Sequence, residues 1–249
     1  MYKIPAKTLF LAKKIIFLPS CHSTNDEALH LVEKHSVIDG SVVITNQQTA
    51  GRGQRGNVWL SEPGMNLTFS LILKPGFVSI ARQFDLNIAI SLGILDFLKK
   101  YKSGFQVKWP NDIYYQENKI CGILIQNVIK RNMIEQSVVG IGLNINQVDF
   151  HDNKPTSLAT LTGCTHILDD VFSSLCEALE MRYLQLKRGE IDKMRIEYVS
   201  NLYQFGEDHL YRSKDVFQGR ITGVTTHGLL EVESKRGLEQ FNFKEIEFL

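Results

Sequence analysis

Hydrophobic residues recur along the chain at two spacings, and the switches between them mark out the expected elements. Ile15 to Leu18 is a short apolar run closed by Pro19, read as a first strand. Thr24 and Glu27 then form a T-x-x-E capping box ahead of Ala28, Leu31 and Val32, so a helix is expected there. Gly40 marks a turn. Val42-Val43-Ile44 reads as a second strand that delivers Gln47 and Gln48 to the loop beyond. Leu67, Phe69, Leu71 and Leu73 alternate with Thr68, Ser70 and Ile72, which predicts a half-buried strand. After the Pro75-Gly76 turn, Ile80, Phe84, Ile88, Leu92, Leu95 and Leu98 return at helical spacing. Lys99, Lys100 and Lys102 suit the end of that helix, and Gly104 its stop.

The second half of the chain begins with strands. Val107 to Tyr115 contains Pro110, which lacks a backbone donor and so predicts an edge or a break. Glu117-Asn118 makes a turn, and Lys119 to Ile125 returns as a strand with Gly122 inside it. Val138 to Asn146 is apolar and interrupted by Gly140 and Gly142, with Asn144 and Asn146 on one face. Helices are expected over Leu168–Leu186 and Glu190–Val199. From about Tyr203 short β-rich runs are split by His227-Gly228 and Arg236-Gly237. The pattern implies an α+β chain: a larger domain over 1–200, with a mixed or antiparallel sheet packed on helices, and a small antiparallel barrel over 201–249.

Composition narrows the function classes. The 249 residues are 43% hydrophobic and 22% charged, ordinary for a chain that buries a core. The net charge of +1 gives no global attraction to nucleic acid or membrane, so anion binding has to come from local clusters. Leu9 to Ala12 and Ile15 to Leu18 are divided by Lys13-Lys14, and neither approaches the ~20 apolar residues of a spanning helix. Cys21, Cys121, Cys164 and Cys176 show no C-x-x-C spacing and read as buried, reduced thiols of a cytoplasmic protein.

The local cluster lies at Gly51-Arg52-Gly53-Gln54-Arg55-Gly56. Glycines let a ligand approach the main chain, and guanidiniums offer forked donors to phosphate or carboxylate. The letters satisfy G-x-G-x-x-G, but Trp59, Pro63 and Gly64 follow instead of a helix, and no acid stands about 20 residues on. No Gly-Lys-Ser/Thr closes a P-loop. A solvated arginine turn fits the composition as well as an anion-binding loop does. Lys108 and Asp112 flank Pro110 and suggest a surface ion pair of little energetic consequence. Trp59 reads equally as a site wall or as core.

Three separated motifs together resemble biotin protein ligase: GRGQRGNVWLS over Gly51–Ser61, KWPND over Lys108–Asp112 followed by KICGIL from Lys119, and GIGLN over Gly140–Asn144. Ser23-Thr24-Asn25 ahead of them matches as well, and the order is kept from Ile15 to the C-terminus. The resemblance implies a biotin/lipoate-ligase fold with a C-terminal SH3-like barrel, and a two-step reaction. Biotin and ATP with Mg²⁺ give biotinyl-5′-AMP, and a lysine of a biotin carboxyl carrier protein domain then takes the biotinyl group. It implies Lys119 and Arg52 as catalytic residues. Ser23, Thr24, Asn25, Gln48, Arg52, Gly53, Gln54 and Lys119 fall to biotin, and Arg52, Arg55, Lys108, Asn111 and Asn144 to ATP. Asp112 is a candidate for orienting or deprotonating the acceptor lysine, and the metal ligands stay open. Gln54 stands where relatives often carry arginine. About 14 residues precede the first strand, so a ligase without an N-terminal DNA-binding domain is expected, with no nucleic acid or membrane partner. The rival within the same superfamily is lipoate protein ligase.

Overall fold

The apolar runs become a sheet and the 3.6-period stretches the helices that cover it. The computed structural model describes residues 2–150 and 155–249, apart from the side chain of Arg55. In order along the chain come β1 (Ile15–Leu18), α1 (Thr24–Glu33), β2 (Ser41–Thr45), β3 (Leu67–Leu73) and α2 (Phe84–Lys99). Next are β4 (Phe105–Lys108), β5 (Asp112–Tyr115), β6 (Asn118–Lys130) and β7 (Met133–Leu143). Helices α3 (Leu158–Thr162), α4 (Leu168–Lys187) and α5 (Ile191–Ser200) follow. Strands β8 (Asp208–Arg212), β9 (Val216–Val224), β10 (Leu230–Ser234), β11 (Gly237–Phe241) and β12 (Glu247–Phe248) close the chain.

The first seven strands form one sheet in the order β1-β2-β3-β7-β6-β5-β4. Only the β1–β2 pair is parallel. The mixed sheet is therefore as expected, and β4 lies at its edge, where the break at Pro110 puts it. The Trp109–Pro110 bond is cis. Helices α2 and α4 cover one face of the sheet and build the main core with Phe69, Leu71, Leu92, Phe172 and Leu175. Helix α1 covers part of the other face, where Ala28, Val32, Val43, Ile72 and Val138 form a smaller cluster. The last five strands pair antiparallel in the order β11-β10-β9-β8-β12. Among the described residues these pairings form an open order, so the expected small β unit is present as a five-stranded sheet.

Several local expectations change. Strand β3 is buried along its whole length, because helices lie on both sides of it, so it is not half-buried. The helical pattern from Ile80 splits into a 3-10 turn, Ile80–Arg82, and a helix that starts at Phe84. Ser23 occupies the N-cap position of α1 and Thr24 is already helical, so the T-x-x-E box does not form. Cys121 and Cys176 are buried, but Cys164 is exposed and Cys21 half-buried; all four are free. Among the described residues no helix is long and apolar enough to cross a membrane.

The C-terminal sheet is tied to the rest by polar bonds. Trp109 Nε1 donates to Gly228 O at 2.9 Å, and Arg195 Nη1 donates to Thr225 O at 2.9 Å. Arg195 also pairs with the buried Asp85 carboxylate, which Arg82 shares.

Candidate active site

The polar residues of β3 explain why its second face is buried. Ser70 is fully buried, and a buried hydroxyl needs partners. Its Oγ lies 2.8 Å from Thr24 Oγ1 and 2.6 Å from Asn25 Oδ1 at the start of α1. Gln48 Oε1 accepts from the Thr24 backbone N–H at 2.8 Å and from its hydroxyl at 3.2 Å. Thr24 thus satisfies its orphan helix-start N–H through Gln48, in place of a capping side chain. Asn25 Nδ2 donates to Gln126 Oε1 at 2.8 Å and to Leu124 O at 3.3 Å. Ser23, Thr24, Asn25 and Gln48 line a cavity of about 470 Å³, within the range of small-molecule sites.

Glycines set the shape of that cavity. A β-carbon on Gly140 would stand 2.3 Å from Asn25 Oδ1, so only glycine lets the amide sit against β7. Gly122 and Gly142 face each other across β6 and β7. A β-carbon on Gly142 would lie 2.3 Å from the Trp59 ring, and one on Gly122 would lie 3.1 Å from it. The indole therefore rests on a floor of two glycines. Its Nε1 is buried and has no partner among the described residues. Trp59 is held by the glycine loop, folded as a small hairpin: Trp59 N donates to Gly51 O, and Gly53 N donates to Asn57 O.

The cations are placed around this floor. Lys119 Nζ pairs with Asp112 Oδ2 at 2.7 Å and lies 5.7 Å from the centroid of the Trp59 ring. Asp112 is thus taken by Lys119, not by Lys108 as the sequence spacing suggested. Lys108 Nζ lies over the rings of Tyr114, Tyr203 and Phe248. Arg52 Nη1 pairs with Asp26 Oδ1 at 3.1 Å, with both side chains partly exposed. Such a pair contributes under about 1 kcal/mol, so an incoming phosphate can take the guanidinium over. Burial pushes the Cys121 thiol, one strand position from the site, well above its ordinary value, and Cys121 is no nucleophile at neutral pH.

The structure brings Arg52, Gly53, Gln54, Lys108, Asn111 and Lys119 to the cavity wall beside the polar cluster. Two of the sequence candidates are placed differently. The Asn111 amide donates to Ile123 O and so braces β6 as well as lining the wall. Asn144 lies outside the wall: its Nδ2 donates to Thr156 O at 3.0 Å, and its buried Oδ1 has no partner among the described residues. The side chain of Arg55 falls outside the described residues. Sequence reasoning did not assign Ser70, Thr68, Gln126 or Tyr114 to the site. Nor did it include Phe243, Lys244, Ile246, Glu247 and Phe248, a wall contributed by the C-terminal segment. The signal for Ser70 and Thr68 was present in the polar positions of an otherwise apolar strand. Nothing local in the sequence points to the C-terminal wall.

Known proteins resemble the chain along most of its length. It is 26% identical to the bifunctional ligase/repressor BirA of Bacillus spizizenii over 249 residues, covering 97% of this chain and 76% of the relative. It is 26% identical to the biotin–[acetyl-CoA-carboxylase] ligase of Paracoccus denitrificans, covering 91% of this chain and 97% of the relative. The fold is that of a solved biotin protein ligase from Aquifex aeolicus in complex with biotin and ATP. There the TM-score is 0.79 at 24% identity, over 95% of this chain and 99% of the other. The model of the biotin/lipoate A/B protein ligase family matches residues 17–144, just over half of the sequence and the part that carries all three motifs, and the chain belongs to that family.

Proposed function

We propose that the chain is an ATP-dependent biotin protein ligase that charges a lysine of a biotin carboxyl carrier protein domain. The observation that carries this reading is a single cavity. It joins a hydroxyl-and-amide cluster (buried Ser23, Thr24 and Asn25 with half-buried Gln48) to cations on facing elements (Arg52, Lys108, Lys119). A ureido ring offers two N–H donors and one carbonyl acceptor, which hydroxyls and amides complement. In the first step the biotin carboxylate oxygen attacks the α-phosphorus of ATP, and the bond to pyrophosphate breaks. Two anions must approach, so fixed positive charge has to stand where charge builds up. Lys119 and Arg52 supply it once Asp112 and Asp26 release them, with Lys108 on the nucleotide side; Arg55 is assigned to the nucleotide on its motif alone.

In the second step a neutral lysine amine attacks the anhydride carbonyl and AMP leaves. Asp112, freed as Lys119 turns to the adenylate, is a carboxylate on the cavity wall that can orient that amine or take its proton. The loop carrying Trp59 and Gln54 shields the adenylate from water. Mg²⁺ fits as an ion carried by the nucleotide phosphates: among the described residues no three His, Cys, Asp or Glu side chains gather into a metal cluster. The ion would neutralise phosphate charge; the unpaired Oδ1 of Asn144 is buried and does not line the cavity. The catalytic part spans about residues 1–200, with the small β unit over 201–249, in the cytoplasm. Lipoate is the disfavoured substrate, since its dithiolane offers nothing for the polar cluster to bond. The test is a thermal shift with biotin or lipoate, followed by pyrophosphate release with ATP. Biotin alone should stabilise the protein and support release; a response to lipoate alone would overturn the assignment.

A further inference from the structure

Lys108 ends β4 on the wall of the cavity, and its ammonium sits among three aromatic rings. The distances from Nζ to the ring centroids are 4.7 Å for Tyr114, 5.6 Å for Tyr203 and 5.2 Å for Phe248. The rings come from three parts of the chain. Tyr114 is in β5, which pairs with β4. Tyr203 lies between α5 and β8, and Phe248 in β12 is the residue before the last. The rings brace one another: Tyr114 and Tyr203 have centroids 5.7 Å apart, and Tyr203 and Phe248 6.4 Å apart. Phe248 is backed in turn by Tyr211, fully buried in the neighbouring strand and at 5.4 Å edge to face.

A lysine stem is flexible, and an ammonium at a cavity wall would sample many rotamers. Ring faces are negative and attract the cation, which fixes the position the ammonium takes on the cavity wall. We infer that Tyr114, Tyr203 and Phe248 form an aromatic clamp that aims Lys108 at the nucleotide, and that Phe248 makes the C-terminal strand a positioning element for adenylation. This rests on the ligase reading and on Lys108 serving ATP. Phe248 is a positioning residue; it acts through Lys108. Burial raises the Tyr114 phenol above its ordinary value, so that ring stays neutral. The clamp also gives the small β unit a part in the chemistry through a residue contact in the described site.

The test compares wild type, Phe248→Leu and Phe248→Tyr. Leucine keeps apolar volume without a ring, and thermal melts check that each variant is folded. Biotin-dependent pyrophosphate release is followed against ATP and against biotin, and ATP affinity is measured by calorimetry. Phe248→Leu should raise KM for ATP roughly 3- to 10-fold, the scale of one cation–π contact, with KM for biotin unchanged. Phe248→Tyr should restore it. In a Lys108→Met background, Phe248→Leu should weaken ATP binding no further, since the two changes remove one interaction. Equal weakening in both backgrounds, or parallel changes toward biotin and ATP, would overturn the clamp. A wild type that releases pyrophosphate beside an unchanged Phe248→Leu would overturn the clamp alone. A wild type that releases none would overturn the ligase reading and the clamp with it.

Discussion

Gly140→Ala tests the close fit on which the biotin cluster depends. Gly140 has no positive φ, so alanine meets no backbone strain and the whole effect is steric. The new methyl would stand 2.3 Å from Asn25 Oδ1 and 3.0 Å from its Cγ, so Asn25 must move. Overpacking of this kind costs about 1–3 kcal/mol. Moving the amide also strains its bonds to Ser70 at 2.6 Å and Gln126 at 2.8 Å, each worth about 1 kcal/mol. The sum is about 3–5 kcal/mol of stability. At about 2–4 °C per kcal/mol for a chain of this length, Tm should fall by roughly 6–20 °C. Biotin affinity should fall at least about tenfold, the loss of one well-placed hydrogen bond to a buried group. Calorimetry and a thermal melt measure both. Asn25→Ala removes the clashing atoms, so Gly140→Ala added to it should cost less than it does alone. A Gly140→Ala protein that melts and binds biotin like wild type would refute the packing argument.

Three further outcomes follow from the same contacts. Lys119→Ala should slow biotinyl-adenylate formation by on the order of 10², the effect of losing one preorganised charge, with biotin affinity changed much less; pyrophosphate release at near wild-type rate would reject that role. Glu180 is buried and accepts from the backbone N–H groups of Leu9, Phe10 and Leu11 at 2.7–2.9 Å, so Glu180→Ala should cost about 3 kcal/mol or more by orphaning three donors, seen as a lowered Tm and rapid hydrogen exchange over residues 9–11. Alkylation of the native protein should label Cys164 first and Cys21 more slowly, while Cys121 and Cys176, buried with thiols pushed up by burial, react only after denaturation; early labelling of Cys121 would contradict its packing.

The sheet was legible because its strands carry apolar runs with glycine and proline punctuation. Val42-Val43-Ile44 and the β6 run from Lys119 fall where the pattern puts them, while the turn expected at Glu117-Asn118 sits one residue earlier, at Gln116-Glu117, because Asn118 already pairs with Tyr115 in the ladder. The polar cluster was legible as residues but not as geometry. Thr24 and Glu27 offer a local capping box, yet the Thr24 N–H goes to Gln48, 24 positions away. A long-range partner that also lines a site overrides a local rule worth about 1 kcal/mol. Strand β3 misled in the same way, since Thr68 and Ser70 look like solvent positions but are buried against α1 and the cavity. The Lys108–Asp112 spacing pointed to an ion pair, but Asp112 meets Lys119 from the neighbouring strand. The wall from Phe243 to Phe248 had no signal at all, because its role depends on how the last strands dock beside β4 and β5.

The central claim is transfer of biotin to a protein lysine, and its most direct test is the mass of the acceptor. The chain is incubated with biotin, ATP, Mg²⁺ and a biotin carboxyl carrier protein domain, and the intact carrier is weighed. The account predicts a gain of one biotinyl group on the carrier, present only when both biotin and ATP are supplied and lost when the acceptor lysine is replaced. An unmodified carrier under complete conditions, or a lipoyl group added when both acids are offered, would contradict it.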